Sequence, residues 1–314
     1  MADRHETYFK NSSEEKLYKV KTILSNILIY GFLTILGLFI VIPFYYMIIN
    51  SFKDSSIYQE ELLKNELNLF NFSDMKLSLG NFNQIFNLKS GGKSVNIGLY
   101  FLNTLIVSVF GSIFTLITTI LASFAFARID FKGKDALFAV LLATMMVPGE
   151  MMIITNYQTA LSWNWENTYS SLIFVHGVSV FYIFYLRQTF QQIPNELYLA
   201  SKVDGYNVFQ YLIKVMIPIA APTVISILIL SLMGAWNAYV WPNLIASGEN
   251  PIFHNSMKLV SNGLMDMFSN SLTGESNDTA KMAAALLVTI PLFIFFLIFR
   301  KKIMSGVSRS GIKG

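Results

Sequence analysis

The chain has 314 residues, of which 54% are apolar, 15% aromatic and only 13% charged. A soluble domain carries about 25% charged residues, so half of that charge is missing, and the net charge of +4 collects near the ends of apolar runs rather than forming a nucleic-acid footprint. With no cysteine, disulfides, thiolate metal sites and thiol catalysis are excluded.

Residues 1–26 form a hydrophilic, mixed-charge leader, expected to be a cytosolic helix or a disordered arm. The apolar run after it is too long for a signal-peptide core and lacks a small-residue cleavage site, so it reads as a first membrane span. A membrane helix needs roughly 20 apolar residues. Six segments qualify, at about 27–49, 100–127, 136–155, 169–186, 218–241 and 282–299. The predicted fold class is an all-α polytopic membrane protein of six transmembrane helices. Tyr45, Tyr46, Tyr100, Tyr169, Trp236 and Trp241 sit near span ends, where bilayer boundaries favour aromatic rings. Sixteen of the 23 basic residues fall in segments 1–26, 128–135, 187–217 and 300–314, which predicts that both termini are cytosolic.

Between the first two spans, "SGGKS" at 90–94 has the look of a phosphate loop. The pattern needs glycine where Asn87 stands, no apolar strand precedes it, and the orientation puts it outside the cell. In the second span, Ser108, Ser112 and the Ala122–Ala127 cluster make a small-residue face suited to helix packing. Glu150, after Pro148-Gly149, is the sole acidic or basic residue inside the six spans. Burying a charge there costs roughly 3 kcal/mol, so it faces a translocation path or makes a structural hydrogen bond to a neighbouring span. His176 in the fourth span has the same two readings. Asn237 lies between Trp236 and Trp241, residue types that pack on sugar rings and equally belong to an interfacial belt. No catalytic constellation and no metal site is present: there is no HExxH, and the three histidines stand apart at 5, 176 and 254.

The longest loop on the predicted cytosolic side between spans, 188–217, separates spans four and five and has its own helical grammar. Pro194 favours a helix start, Asp204-Gly205 supplies a left-handed stop, and Asn207 with Gln210 forms the signature of a second helix start. Val208, Phe209, Leu212, Ile213 and Met216 are expected to form one apolar stripe. On these residues alone, the loop is either an amphipathic element lying on the bilayer or a docking element for a cytosolic partner.

Pro194-Asn195-Glu196-Leu197, Ala200-Ser201, Asp204-Gly205 and Ile217-Pro218 resemble the cytoplasmic loop of ABC-importer permeases. "NTLIVS" (103–108), "AFARIDFKGK" (125–134), "WNAYVWP" (236–242) and the tail "SGIKG" (310–314) are similar to the six-span, maltose-permease-G-like subunit of the carbohydrate-importer branch. The pattern departs at Leu199, where the family has a glutamate, and at Ser201, where it has alanine; Glu196 lies about one turn from Leu199.

The resemblance implies that the loop is a coupling helix, with Glu196, Leu197, Ala200, Ser201, Asp204 and Gly205 meeting a cytosolic ABC ATPase dimer. It further implies a second permease subunit, an extracellular substrate-binding protein and a carbohydrate, polyol or glycerol phosphate substrate. ATP and magnesium would be held by the ATPase, leaving this multi-pass chain of the cell membrane with no cofactor of its own. Glu150, His176 and Asn237 are the candidate path residues. The rival reading is an ion-coupled secondary transporter, although such folds place several charges at mid-membrane in repeated halves.

Overall fold

The computed structural model describes residues 12–66, 68–70, 77–87, 89–90, 93–94, 96–269 and 278–308. The tail motif at 310–314 and residues 1–11 of the leader lie outside them. In chain order the elements are α1 (Ser12–Phe52), α2 (Ser55–Lys64), α3 (Gly80–Phe86), a two-residue strand pair β1 (Lys89–Ser90) and β2 (Lys93–Ser94), and α4 (Ile97–Arg128). There follow α5 (Lys134–Thr144), α6 (Ile153–Ser162), α7 (Tyr169–Phe174), α8 (Val180–Gln191), α9 (Asn195–Val203) and α10 (Val208–Tyr211). The chain then runs through α11 (Ile217–Ile219), α12 (Ala221–Trp236), α13 (Val240–Ile245), α14 (Val260–Ser269) and α15 (Asp278–Ser308).

Three helices, α1, α4 and α15, are each long and apolar enough to cross a membrane. The other three predicted spans are not continuous helices. Segment 136–155 is split between α5 and α6, with an 87° bend around Pro148-Gly149. Segment 169–186 is interrupted at 175–179, between α7 and α8. Segment 218–241 enters through a π-helical turn at Leu212–Met216, bends by 83° near Ala220, and ends at Trp236. Hydropathy registers the apolar length of such segments but not where a neighbouring helix lets the backbone break. Broken backbone survives at membrane depth only where protein or a cavity satisfies it.

The neighbouring helix is α4, against which α12, α8 and α7 pack. Its inward face carries Asn103, Thr104, Ser108, Ser112, Thr115, Thr119 and Ser123, all buried. From Thr104 onward the steps of three and four residues keep these small side chains on one helix face, where they let partner backbones approach closely. The face also donates to carbonyls of the packed segments, one of them in the break after α7 and one within α8. Thr118 Oγ1, next to it, donates to Gly177 O at 2.9 Å, and Ser123 Oγ to Ile183 O at 2.9 Å. A Cβ on Gly177 would stand 2.2 Å from the Phe114 ring, so only glycine allows this approach. Gly177→Val should therefore cost about 1–3 kcal/mol by overpacking, read as a lower thermal midpoint in detergent; Phe114→Ala in the same chain should restore most of it.

At one end of the bundle, Asn103 Nδ2 donates to Ser256 O (2.8 Å) and Lys258 O (3.1 Å), and Thr104 Oγ1 accepts from Val260 N at 2.8 Å. The start of the "NTLIVS" motif thus straps down a segment more than 150 positions away in sequence. Near the end of α1 lies a buried polar knot. Fully buried Lys53 donates from Nζ to Glu61 Oε2 and to Asn68 O, both at 2.7 Å. Asn81 Nδ2 donates to Ser51 O and Lys53 O, and Thr279 Oγ1 donates to Asn81 Oδ1, joining α1, α3 and α15. Of the glycine-lysine stretch, the described residues Ser90, Lys93 and Ser94 belong to the β1–β2 pair, where Ser90 opposes Lys93 in an antiparallel register.

Candidate functional site

Two regions gather the candidate residues. The first is the pair α9–α10. Pro194 occupies the N-cap of α9, and the helix ends as the Asp204-Gly205 pair predicts. Gly205 has φ +77°, its N–H donates to Lys202 O at 3.1 Å, and Tyr206 N–H reaches back to Ser201 O at 2.9 Å. These two crossed bonds satisfy carbonyls that a helix end leaves open, and the left-handed residue between them is favourable only for glycine or asparagine. Asn207 Oδ1 then accepts from Gln210 N (2.8 Å) while Gln210 Oε1 accepts from Asn207 N (3.0 Å), a complete capping box. Asn207→Ala should cost about 1 kcal/mol, measurable as faster hydrogen exchange across α10.

The element is tied to the bundle from beneath. Ser201 is buried and its Oγ donates to Tyr198 O, and the Tyr198 ring stands edge-on to fully buried Tyr211 at 5.0 Å. Tyr211, Leu212 and Met216 pack with Leu186, Phe190 and Ile193 from α8 and the turn after it. Arg128 Nη2 donates to Phe190 O at 3.0 Å and also to Ile193 O, pinning the end of α4 to the same place. Burial pushes the Tyr211 phenol up, with the Arg128 guanidinium pulling the other way. Lys202 and Lys214 lie over the rings of Tyr198 and Tyr206.

Of the six predicted docking residues, Glu196, Leu197, Ala200, Asp204 and Gly205 are exposed, whereas Ser201 faces inward. Ser201 follows Tyr198 by three residues, so the two share the buried helix face. The expected apolar stripe divides likewise: Leu212 and Met216 are buried, while Val208, Phe209 and Ile213 remain exposed beside Leu199 and Val203. The pattern recorded apolar character correctly but could not say that two different surfaces use it.

The second region is a cavity of about 610 Å³ where the three broken segments meet α4. Glu150 lines it from the turn of Gly149–Met152, and His176 from the break after α7. The imidazole stands edge-on to Trp241 at 5.2 Å, and Trp241 Nε1 is held by Ser171 O at 3.0 Å. Tyr182, Tyr239, Asn156, Thr115, Ser179 and Ser231 are further polar members of the wall; sequence reasoning missed them because nothing local marks a side chain that meets others only across a cavity. Asn237 is exposed outside that wall, its Nδ2 folded back to Met233 O at 3.0 Å. Trp236 turns away to donate to Val288 O on α15, so the two tryptophans do not form a common sugar platform.

The family profile of binding-protein-dependent transport system inner membrane components matches residues 118–309, which include α5 to α15, and so the α9–α10 pair and every cavity-lining residue except Val107, Gly111 and Thr115 of α4. The chain belongs to this family. This permease is 30% identical over 302 residues to a probable ABC transporter permease protein of Mycoplasma genitalium, covering 94% of this chain and 90% of that one. It is 28% identical to the arabinooligosaccharides transport system permease protein AraQ of Halalkalibacterium halodurans, covering 94% and 99% of the two chains. Its fold matches a chain in the crystal structure of a bacterial ABC transporter involved in the import of the acidic polysaccharide alginate. The TM-score is 0.68 at 19% identity, with 94% of the permease and 99% of that chain covered. Helices α9 and α10 and the broken segments around the cavity all lie within the matched family region.

Proposed function

We propose that this permease is one membrane subunit of an ATP-driven, binding-protein-dependent importer of a carbohydrate or related polyol, working by alternating access. The observation that carries the reading is the α9–α10 element. It is rigidly capped and anchored to α4, α8 and α12 on one side, and it presents a free face on the other. An external push on such a lever reaches α8 directly and α12 through the π-helical turn, and both helices border the cavity. A cytosolic ABC ATPase dimer holding ATP and magnesium supplies the push. A second permease subunit completes the path, and an extracellular binding protein delivers the substrate. In this reading the chain has six spans, counting each broken segment as one, with both termini in the cytosol of a plasma or inner-membrane protein. The exposed apolar side chains along α1 from Ile27 to Phe44 face lipid or the sister subunit. Glu150 and His176 line the path from the cavity wall, and Asn237 from the exposed surface beside it. The chain itself catalyses no reaction.

Purification in mild detergent tests the assembly: an ATPase and a second permease should accompany this chain. Uptake should stop on ATP depletion and continue when ion gradients are collapsed. The opposite pair of results would establish an ion-coupled transporter instead.

A further inference from the structure

The cavity wall carries a single carboxylate with no lysine or arginine beside it: among the described residues, Glu150 is the only aspartate, glutamate, lysine or arginine that lines it. No lysine or arginine lies inside any of the six apolar segments, and the nearest arginines on the lining helices are occupied elsewhere. Arg128 is bound to the Phe190 and Ile193 carbonyls. Arg187 donates from Nε to Phe126 O at 3.1 Å and stacks over the Phe138 ring at 4.0 Å. The rest of the polar wall carries no lysine, arginine or second carboxylate: it is the His176 imidazole with Thr115, Asn156, Ser179 and Ser231 and the rings of Tyr182 and half-exposed Tyr239. Such groups suit sugar hydroxyls and the apolar faces of sugar rings.

A carboxylate brought out of water needs a cation or several hydrogen-bond donors beside it, and a second carboxylate repels it. Among the described residues the cavity offers hydroxyl, amide and imidazole donors but no lysine or arginine, and the Glu150 carboxylate that would repel an acid stands among them. Its volume of about 610 Å³ lies well inside the range of small-molecule sites, roughly 300–1,000 Å³. Resting on the importer reading above, we infer that this cavity accepts short uncharged oligosaccharides and rejects acidic ones, with Glu150 as the discriminating residue. The fold is shared with an importer of an acidic polysaccharide; the charge of the wall points the other way.

The test is direct binding to the complete permease–ATPase assembly in lipid nanodiscs without the binding protein, using labelled maltotriose, arabinotriose and trigalacturonate. At least one neutral trimer should bind tenfold or more tighter than the acidic one. Glu150→Lys should move the acidic-to-neutral affinity ratio at least tenfold towards the acid, and Glu150→Gln should move it less in the same direction. Equal or tighter binding of trigalacturonate to the unaltered assembly overturns the inference, as does a ratio that Glu150→Lys leaves unchanged. If no trimer binds the cavity while the complete system, binding protein included, still takes up sugar with ATP, the charge filter is wrong and the importer reading stands. If no sugar is taken up at all, both fall.

Discussion

Gly205→Pro should abolish ATP-dependent uptake while the protein still inserts into the membrane at normal levels. Proline holds φ near −65°, whereas Gly205 sits at +77° with its N–H bonded to Lys202 O. The substitution therefore removes both the left-handed turn and one of the two bonds that close α9. Open space surrounds the position, with no atom within 4 Å of an added Cβ, so the effect passes through backbone conformation rather than collision. That distinction gives a graded series. Gly205→Ala should retain partial uptake, since a left-handed non-glycine residue costs about 1–2 kcal/mol. Gly205→Asn should come closer to the unaltered protein, because asparagine tolerates the region best among the other residues. Deletion of 196–206 should match the proline variant. Uptake that survives the deletion would remove α9 from the transport mechanism.

Lys53→Ala should lower stability by about 3–5 kcal/mol, the usual cost of breaking a buried ion pair from one side. The ammonium is fully buried and donates to both Glu61 Oε2 and Asn68 O. Its loss leaves the Glu61 carboxylate, only 13% exposed, without its cation. The measurement is the fraction of monodisperse protein surviving a heating series in detergent. The double variant Lys53→Met with Glu61→Leu should recover most of the loss, because apolar replacement of both partners removes the uncompensated charge. If the single and double variants melt alike, the pair is not what holds α1, α2 and the segment near Asn68 together.

Helix ends were the most legible features of the chain. The stop at Asp204-Gly205 and the cap at Asn207–Gln210 involve residues within a few positions of each other, so the pattern that encodes them is contiguous. Family membership was legible for the same reason: its motifs are short runs whose order survives in the sequence. Less legible was the use made of apolar residues. The stripe on α10 and the turn after it contributes Leu212 and Met216 to the core and leaves Phe209 and Ile213 outside. Ser201 reads as part of a docking motif yet supports Tyr198 from within.

By itself, then, the sequence determined that this chain is a mostly helical membrane protein with a capped two-helix element between apolar segments. Composition, hydropathy and capping are local quantities, each written within a turn or within one helix length. Only the tertiary structure decided where three of those segments break and what the breaks enclose. Gly177 can leave helical geometry because the Thr118 hydroxyl, 59 positions earlier, donates to its carbonyl, and it must be glycine because Phe114 leaves room for no side chain. Asn103 holds a carbonyl 153 positions away. Glu150 and His176 share one wall because the bend after α5 and the gap after α7 meet beside α4. Contacts of that span depend on the packing of whole helices, and no window of sequence contains both partners.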